Sequence, residues 1–132
     1  HISVSPVEEL RWLEYGQRLA TRHRNIATGA RSSVGETLLQ DALASAARST
    51  GHAIGRLDAG DCADWLVLDH NAPQLAVLQE GDAVDRWIFS GNRNLVRDAF
   101  VGGRHLVSEG RHVHRDAIAH RYRRAMQTLL AD

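Results

Sequence analysis

The strongest constraint on the fold lies in the first nine residues, where a β-prone run leads directly into a marked helix start. The run His1-Ile2-Ser3-Val4 is followed by Ser5, Pro6 and Glu8. Serine is a good N-cap, proline is favoured at the first helical position, and a Glu three residues after a capping Ser completes a capping box. A strand end followed at once by a capped helix is typical of a βα unit. We therefore expect these residues to follow a strand that lies before His1.

The composition is that of a soluble globular domain. The 132 residues are 43 % hydrophobic and 24 % charged, with a formal net charge of zero, so neither nucleic acid nor an anionic membrane is an expected partner. All 16 basic residues are Arg, which excludes a Schiff-base or P-loop lysine within the chain. Cys62 is alone, and no apolar stretch reaches membrane-spanning length. A reduced, cytoplasmic setting is expected.

Hydrophobic periodicity predicts helices in the first and last thirds of the chain and strands between them. The first helix should run from residue 6 to about 24, and a second, with a small-residue face, from 34 to 48. Residues 65–69 are typical of a buried strand, and residues 83–89 could be helical. Gly102-Gly103 predicts a primed hairpin turn between strands at 96–101 and 104–107, and residues 111–113 are expected to extend that sheet.

A last helix is expected to begin after Asp116 as its cap and to run to about residue 130. Five apolar residues at helical spacing predict its buried face, and basic side chains flank them. The predicted buried face consists of Ile118, Tyr122, Ala125, Met126 and Leu129.

Two segments resemble the C-terminal end of the amidohydrolase superfamily. Residues 55–69 are similar to its segment "G-x-L-x-x-G-x-x-A-D-L-V-V-x-D". Residues 96–107, followed by Gly110, are similar to its closing "V-x-x-V-x-V-x-G-x-x-V-x-x-G" hairpin. In this order and spacing they form a strong signal. The resemblance implies a small β-sandwich that packs beside a (β/α)8 barrel.

Residues 3–19 resemble a more specific family, the bacterial formimidoylglutamate deiminases of histidine degradation. The resemblance spans essentially the whole chain and implies an α+β fragment of the intact enzyme. Residues 1–53 would be the last helices of the incomplete (β/α)8 barrel domain. Residues 54–114 would be the C-terminal part of the flanking β-sandwich, and residues 115–132 a terminal helix.

The same resemblance implies hydrolysis of N-formimidoyl-L-glutamate to N-formyl-L-glutamate and ammonia by a zinc-activated water. The zinc ligands and the catalytic residues of the family correspond to positions before His1. We therefore expect this chain to hold no metal and no catalytic residue, and to be inactive alone. His1, at the start of the loop after barrel strand 8, is the one expected substrate-binding residue. The expected partners in the intact enzyme are the N-terminal barrel portion, the small-molecule substrate and a second copy in a homodimer.

Two alternatives remain open. The sandwich segments also fit another aminohydrolase of the superfamily, such as a guanine or chlorohydrolase-type deaminase. A freestanding, non-catalytic α+β module is the second alternative. A barrel-coding stretch upstream, with a His-x-His motif and a strand-8 Asp, would favour the enzyme, whereas a start codon near His1 would favour the module.

Other combinations of reactive residues are interpreted structurally. His112 and His114 have the spacing of zinc ligands, but we interpret them as residues of a solvated strand edge. His105 and His120 are not expected to supply the further ligands that a zinc site requires. Cys62 is expected to be a small core residue. A hydrolytic triad is not expected, because the sequence has no strand–turn–helix elbow that would position a nucleophilic serine. Separately, an Arg-rich face of the last helix is expected to be solvated. The triad candidates are Ser32, Ser33, Asp41 and His52, and the Arg-rich face is Arg121, Arg123 and Arg124.

The three tryptophans are interpreted as packing residues. Trp65 and Trp87 lie in the middle segment of the chain, and Trp12 lies on the first helix. In a fragment, the face of the first helix would lack the barrel against which it packs. We therefore expect an exposed apolar patch around Trp12 and a tendency to associate.

Overall fold

The computed structural model of the chain describes residues 3–29 and 33–131, and these form an α+β arrangement of four α-helices and one four-stranded sheet. A short 3-10 helix, Pro73–Leu75, precedes the third α-helix. The helices are α1 (Pro6–Thr21), α2 (Val34–Thr50), α3 (Ala83–Phe89) and α4 (Arg115–Leu129). The strands are β1 (Trp65–Leu68), β2 (Val96–Val101), β3 (Arg104–Ser108) and β4 (Arg111–His112).

Serine caps begin both long N-terminal helices. The Ser5 hydroxyl accepts a hydrogen bond from the backbone N–H of Glu8 at 3.3 Å, which confirms the predicted cap. The Ser33 hydroxyl does the same for Glu36 at 3.0 Å. Helix α1 ends three residues earlier than expected, because Arg22 takes a left-handed conformation with φ of 58° and stops the helix.

The sheet is antiparallel throughout, in the order β1-β2-β3-β4. The predicted hairpin between β2 and β3 is confirmed. Its turn residues Gly102 and Gly103 have φ of 54° and 73°, as a primed turn requires. The pairing of β3 with β4 confirms that residues after Gly110 extend the sheet, although β4 has only two residues.

A small core lies where α3 and the residues around the 3-10 helix meet the sheet. Ala72, Leu75 and Leu95 are buried there, with Leu68 and Trp87 packed against them. On α3, Ile88 is fully buried. The start of α2 is held against α3 by a hydrogen bond of 2.6 Å from the Gly35 N–H to Asp85 Oδ1.

The prediction that one face of the last helix is buried is wrong. Helix α4 buries none of its residues, and Ile118, Tyr122 and Leu129 are 47 %, 65 % and 69 % exposed. Its N-cap position is occupied by His114, and Asp116 instead accepts a hydrogen bond from Arg111. Apolar spacing along a helix indicates which face will pack, but the surface that covers this face is not supplied by the described residues.

Cys62 was expected in the core and is exposed. It lies in the turn-rich segment before β1, where its backbone N–H donates to Ala53 O at 2.7 Å. The expected apolar patch on α1 is confirmed, because Trp12, Leu13 and Leu19 are 62 %, 56 % and 78 % exposed. Trp65 and Trp87 are half-buried.

Candidate functional site

A groove of about 780 Å³ lies between the two helices α2 and α3 and the first two strands. Residues from five separate parts of the chain meet here, and most of their side chains are apolar. Its apolar lining includes Leu39 and Leu43 of α2, Ile54 and Leu57 of the following loop, Val84 and Trp87 of α3, Leu66 of β1, and Phe100 of β2.

One of the strands that line the groove, β1, lies at the edge of the sheet. Strand β1 is the first strand of the sheet and pairs only with β2 among the described strands. Leu66 on this strand is 51 % exposed, and the neighbouring Val101 and Leu57 are 53 % and 75 % exposed. An edge strand with exposed apolar side chains is a favourable place for another chain segment to pair.

The charged side chains that line the groove are already bound within the chain. Arg56 donates to Asp61 Oδ2 at 3.0 Å and lies 3.7 Å from Asp58. Asp64 Oδ1 accepts a hydrogen bond of 2.6 Å from the Gly102 N–H. The groove therefore presents an apolar surface rather than a set of free charged groups.

An aromatic stack extends from the groove across the sheet. The rings of Trp65 and Phe100 are 4.4 Å apart between centroids, and Phe100 and His105 are 4.3 Å apart. His105 Nε2 is 2.9 Å from Asp98 Oδ1, and Arg97 Nε donates to Asp98 Oδ2 at 2.7 Å. The hydrogen bonds from Arg97 and His105 lower the pKa of Asp98 below its ordinary value.

A second polar network fixes α1. The carboxylate of Glu14 accepts hydrogen bonds from Arg18 Nε at 2.7 Å and from the backbone N–H groups of Ile26 and Ala27 at 3.0 Å each. Burial alone would raise the pKa of Glu14, but these hydrogen bonds outweigh it and hold the pKa below its ordinary value. From the same helix, Arg11 donates to Ile88 O at 2.7 Å.

The residues singled out in the sequence do not assemble into a reactive centre in the described parts of the chain. His1 and Ser32 lie outside the described residues, and Ser33 is occupied as the cap of α2. Asp41 and His52 are exposed. The Arg-rich face of α4 is also exposed, as expected.

The histidine pair after the hairpin has a local structural role. The ring centroids of His112 and His114 are 5.7 Å apart, and His112 Nδ1 accepts a hydrogen bond from the His114 N–H at 3.1 Å. His105 is hydrogen-bonded to Asp98 and stacked on Phe100. His120 is exposed on α4. Within residues 3–29 and 33–131, no three His, Cys, Asp or Glu side chains lie together as a metal site requires.

Sequence reasoning missed the groove and both polar networks. Asp98 and His105 are seven residues apart, on strands whose pairing brings them together across a β-bulge. Glu14 and Arg18 have the i, i+4 spacing of a helical ion pair, which was an available signal for their contact. Nothing in that spacing indicates that the Glu14 carboxylate is buried by the loop after α1.

Comparison with known proteins shows what this chain is similar to. A scan against models of protein families finds no match. Among the described residues, no helix is both long and apolar enough to cross a membrane. A curated formimidoylglutamate deiminase of Pseudomonas aeruginosa is 47 % identical in a match that covers 98 % of this chain and 29 % of that protein.

The fold has a counterpart among solved structures. The crystal structure of an amidohydrolase from Brucella melitensis matches with a TM-score of 0.86 and 33 % identity, over 98 % of this chain and 28 % of that one. The chain thus spans less than a third of the length of either protein. The sequence resemblance is confirmed: over almost its whole length, this chain is similar to the C-terminal part of a formimidoylglutamate deiminase, and its fold is similar to part of an amidohydrolase.

Proposed function

We propose that this chain is the C-terminal part of a hydrolase that acts on non-peptide carbon–nitrogen bonds, and that the intact enzyme converts N-formimidoyl-L-glutamate and water to N-formyl-L-glutamate and ammonia. The observation that carries this proposal is the 47 % identity to formimidoylglutamate deiminase over 98 % of the chain. The match covers the α1 region as well as the sheet, so it extends beyond the segments that many amidohydrolases share.

In this proposal, the chain contributes helices and strands to the fold of the enzyme but no catalytic residue. The helices α1 and α2 would be the last helices of a barrel, and the strands β1 to β4 would be part of the flanking sandwich. The prominent polar groups described above are engaged in hydrogen bonds that hold loops and strands together. The isolated 132-residue chain is therefore expected to be inactive.

The described residues do not fit a zinc site, because they bring no suitable group of ligands together. Zinc in the intact enzyme would be bound by residues outside this part of the chain. Zinc binding, a homodimeric assembly and a cytoplasmic setting all stay predictions.

The proposal is tested with a chimaera in which this chain replaces the matching C-terminal segment of the Pseudomonas aeruginosa enzyme. We expect the purified chimaera to release ammonia from N-formimidoyl-L-glutamate, as measured with a coupled glutamate dehydrogenase assay. The isolated chain and the Pseudomonas enzyme truncated before the matching segment serve as controls and should release none.

Two results would contradict the proposal. A chimaera that is folded by circular dichroism but acts on guanine and not on N-formimidoyl-L-glutamate would favour another aminohydrolase. Ammonia release by the isolated chain would show that the expected division between structure and chemistry is wrong.

A further inference from the structure

We infer that Arg11 is a positioning residue for the proposed reaction, because it fixes the N-terminal half of α1, and with it the residues that lead into this helix, against the end of α3. Arg11 itself would not touch the substrate. Its role rests on the proposed function, since that function makes α1 a helix of a catalytic barrel. It goes further by assigning to one side chain of this chain an effect on substrate binding and on rate.

The guanidinium of Arg11 binds the end of α3 with all three of its nitrogen atoms. Nε donates to Ile88 O at 2.7 Å, Nη2 donates to Gly91 O, and Nη1 donates to Asn92 Oδ1. The last carbonyl groups of a helix lack partners within the helix, so Ile88 O is free to accept this bond. All three acceptors are neutral oxygens. The contact therefore depends on the planar, forked shape of the guanidinium and not on an opposite charge.

A second contact between the same two helices lies further along α1. The guanidinium carbon of Arg18 is 5.4 Å from the centre of the Tyr15 ring and 5.5 Å from that of Phe89, and the two rings stack at 6.0 Å. Arg11 and Arg18 are about 10 Å apart along the helix axis. Helix α1 is thus attached to α3 at two points, and Arg11 is the point nearer its N-terminus. Without Arg11, the N-terminal half of α1 would lose this attachment.

Short-range hydrogen bonds join the residues before α1 to the helix. The Ser5 hydroxyl accepts from the Glu8 N–H at 3.3 Å, and Ser5 O accepts from the Glu9 N–H at 3.1 Å. The Ser3 hydroxyl donates to the Glu8 carboxylate. Ser5 is only about 9 Å from Arg11 along the axis. Over this distance a helix moves as one body, so a shift of α1 at Arg11 would also move the residues that lead into it.

The position of these residues matters for the proposed chemistry. In a (β/α)8 barrel, the loops that lead from strands into helices form the active site. In the proposed enzyme the residues before Pro6 belong to such a loop, because α1 is one of the barrel helices. A misplacement of about 1 Å can cost on the order of a hundredfold in rate. Loss of the Arg11 contact would therefore weaken substrate binding and slow the reaction.

Steady-state kinetics of the chimaera with N-formimidoyl-L-glutamate test this role. We expect Arg11→Met to raise KM by about fivefold or more and to lower kcat as well, because the substrate would meet a shifted loop. KM does not depend on the fraction of folded enzyme, so its change distinguishes positioning from a loss of stability.

Arg86→Met is the matched control. Arg86 also donates to two backbone carbonyl groups, those of Ala76 at 2.7 Å and Val77 at 3.3 Å, but they belong to the loop before α3. This variant loses a similar set of bonds at a different place. Its KM and kcat should both stay within about twofold of wild type, and thermal unfolding of each variant shows that folded enzymes are compared.

A milder variant approaches the same contact from the other helix. Asn92→Ala removes one of the three acceptors and leaves Arg11 in place. We expect it to raise KM by about two- to threefold. The double variant should resemble Arg11→Met alone, because both substitutions act through one contact. If Arg11→Met does not fold, Asn92→Ala decides the question, and an unchanged KM would overturn the role of Arg11.

The outcomes separate this role from the proposed function. An active chimaera whose KM is unchanged by Arg11→Met, or is raised equally by Arg86→Met, would overturn the role of Arg11 and leave the function standing. A folded wild-type chimaera that releases no ammonia would overturn the proposed function, and the role of Arg11 with it.

Discussion

Glu14 has a buried carboxylate on a helix whose other side chains are at least partly exposed. Its two oxygens accept three hydrogen bonds, and two of them come from backbone N–H groups in the loop after α1. A buried charge is tolerated only when it is well bonded. This one residue therefore holds the conformation of the segment that follows the helix.

We expect Glu14→Ala to lower the free energy of unfolding by about 2–4 kcal/mol, because it removes charge-assisted bonds and leaves two backbone donors without their acceptor. Urea denaturation of the isolated chain measures this change. Glu80→Ala removes the same group from an exposed position and should change the stability by less than about 0.5 kcal/mol. Equal effects of the two substitutions would contradict the role given to Glu14.

Asp98 makes the stability of the sheet depend on pH. Its pKa is lowered in the folded chain, from about 3.9 in an unfolded chain. Its contribution is therefore present above the unfolded pKa and is lost as the pH falls through the folded pKa. Below about pH 4, wild type should lose stability more steeply than Asp98→Asn, as measured by urea denaturation at a series of pH values.

The control for this prediction is Asp58→Asn, because the Asp58 side chain is 72 % exposed. Its pH profile should run parallel to that of wild type. A profile of Asp98→Asn that is as steep as wild type would mean that the bonds from Arg97 and His105 contribute nothing to the acid sensitivity.

The packing of α2 against α3 depends on Gly35, which has no side chain. A Cβ atom at Gly35 would lie 2.8 Å from Asp85 Oδ1 and 3.0 Å from the Asp85 Cα and N atoms. Backbone atoms at that distance cannot move aside without a shift of the whole helix. The hydrogen bond from Gly35 to Asp85 is possible only because the two helices come this close.

Gly35→Ala should therefore destabilise the chain by about 1–3 kcal/mol, despite the higher helix propensity of alanine. Gly16→Ala in α1 is the matched control, since its Cβ would meet no atom within 4 Å. That control should stabilise the chain by up to about 1 kcal/mol. Thermal unfolding followed by circular dichroism compares them, and a Gly35→Ala chain at least as stable as wild type would refute the close-packing argument.

At the scale of elements, the sequence predicted the helix starts and the hairpin turn, which depend only on residues that are neighbours in the chain. The starts of α1 and α2 follow from serine caps, and the β2–β3 hairpin follows from two glycines that can adopt positive φ. The burial of α4 and of Cys62 was predicted wrongly, because burial depends on which surface lies opposite. The groove could not be predicted, since residues from positions 39 to 101 reach it only through tertiary packing.

At the scale of the whole molecule, the described part of the chain exposes many large apolar side chains. The patch on α1 around Trp12 and Leu19 is separate from the groove. Residues seven apart on a helix share a face, so these two side chains lie on the same side of α1. Exposed surface of this kind favours association of the isolated chain.

We expect the isolated chain to associate with rising concentration, and the double substitution Trp12→Gln and Leu19→Gln to weaken this association about tenfold or more, since burial of one large apolar side chain is worth about 1.5–3 kcal/mol. Sedimentation velocity over a range of concentrations measures it. Leu78→Gln should have little effect. Association that persists unchanged in the double variant would assign it to another surface.

The hydrogen bonds of Arg11 give α1 and α3 a mechanical connection. Its guanidinium donates to Ile88 O near the end of α3, and to Gly91 O and Asn92 Oδ1 in the loop that follows. Helix α3 also carries Trp87, which forms part of the groove wall. A displacement of α1 would therefore strain or break three hydrogen bonds close to the groove wall.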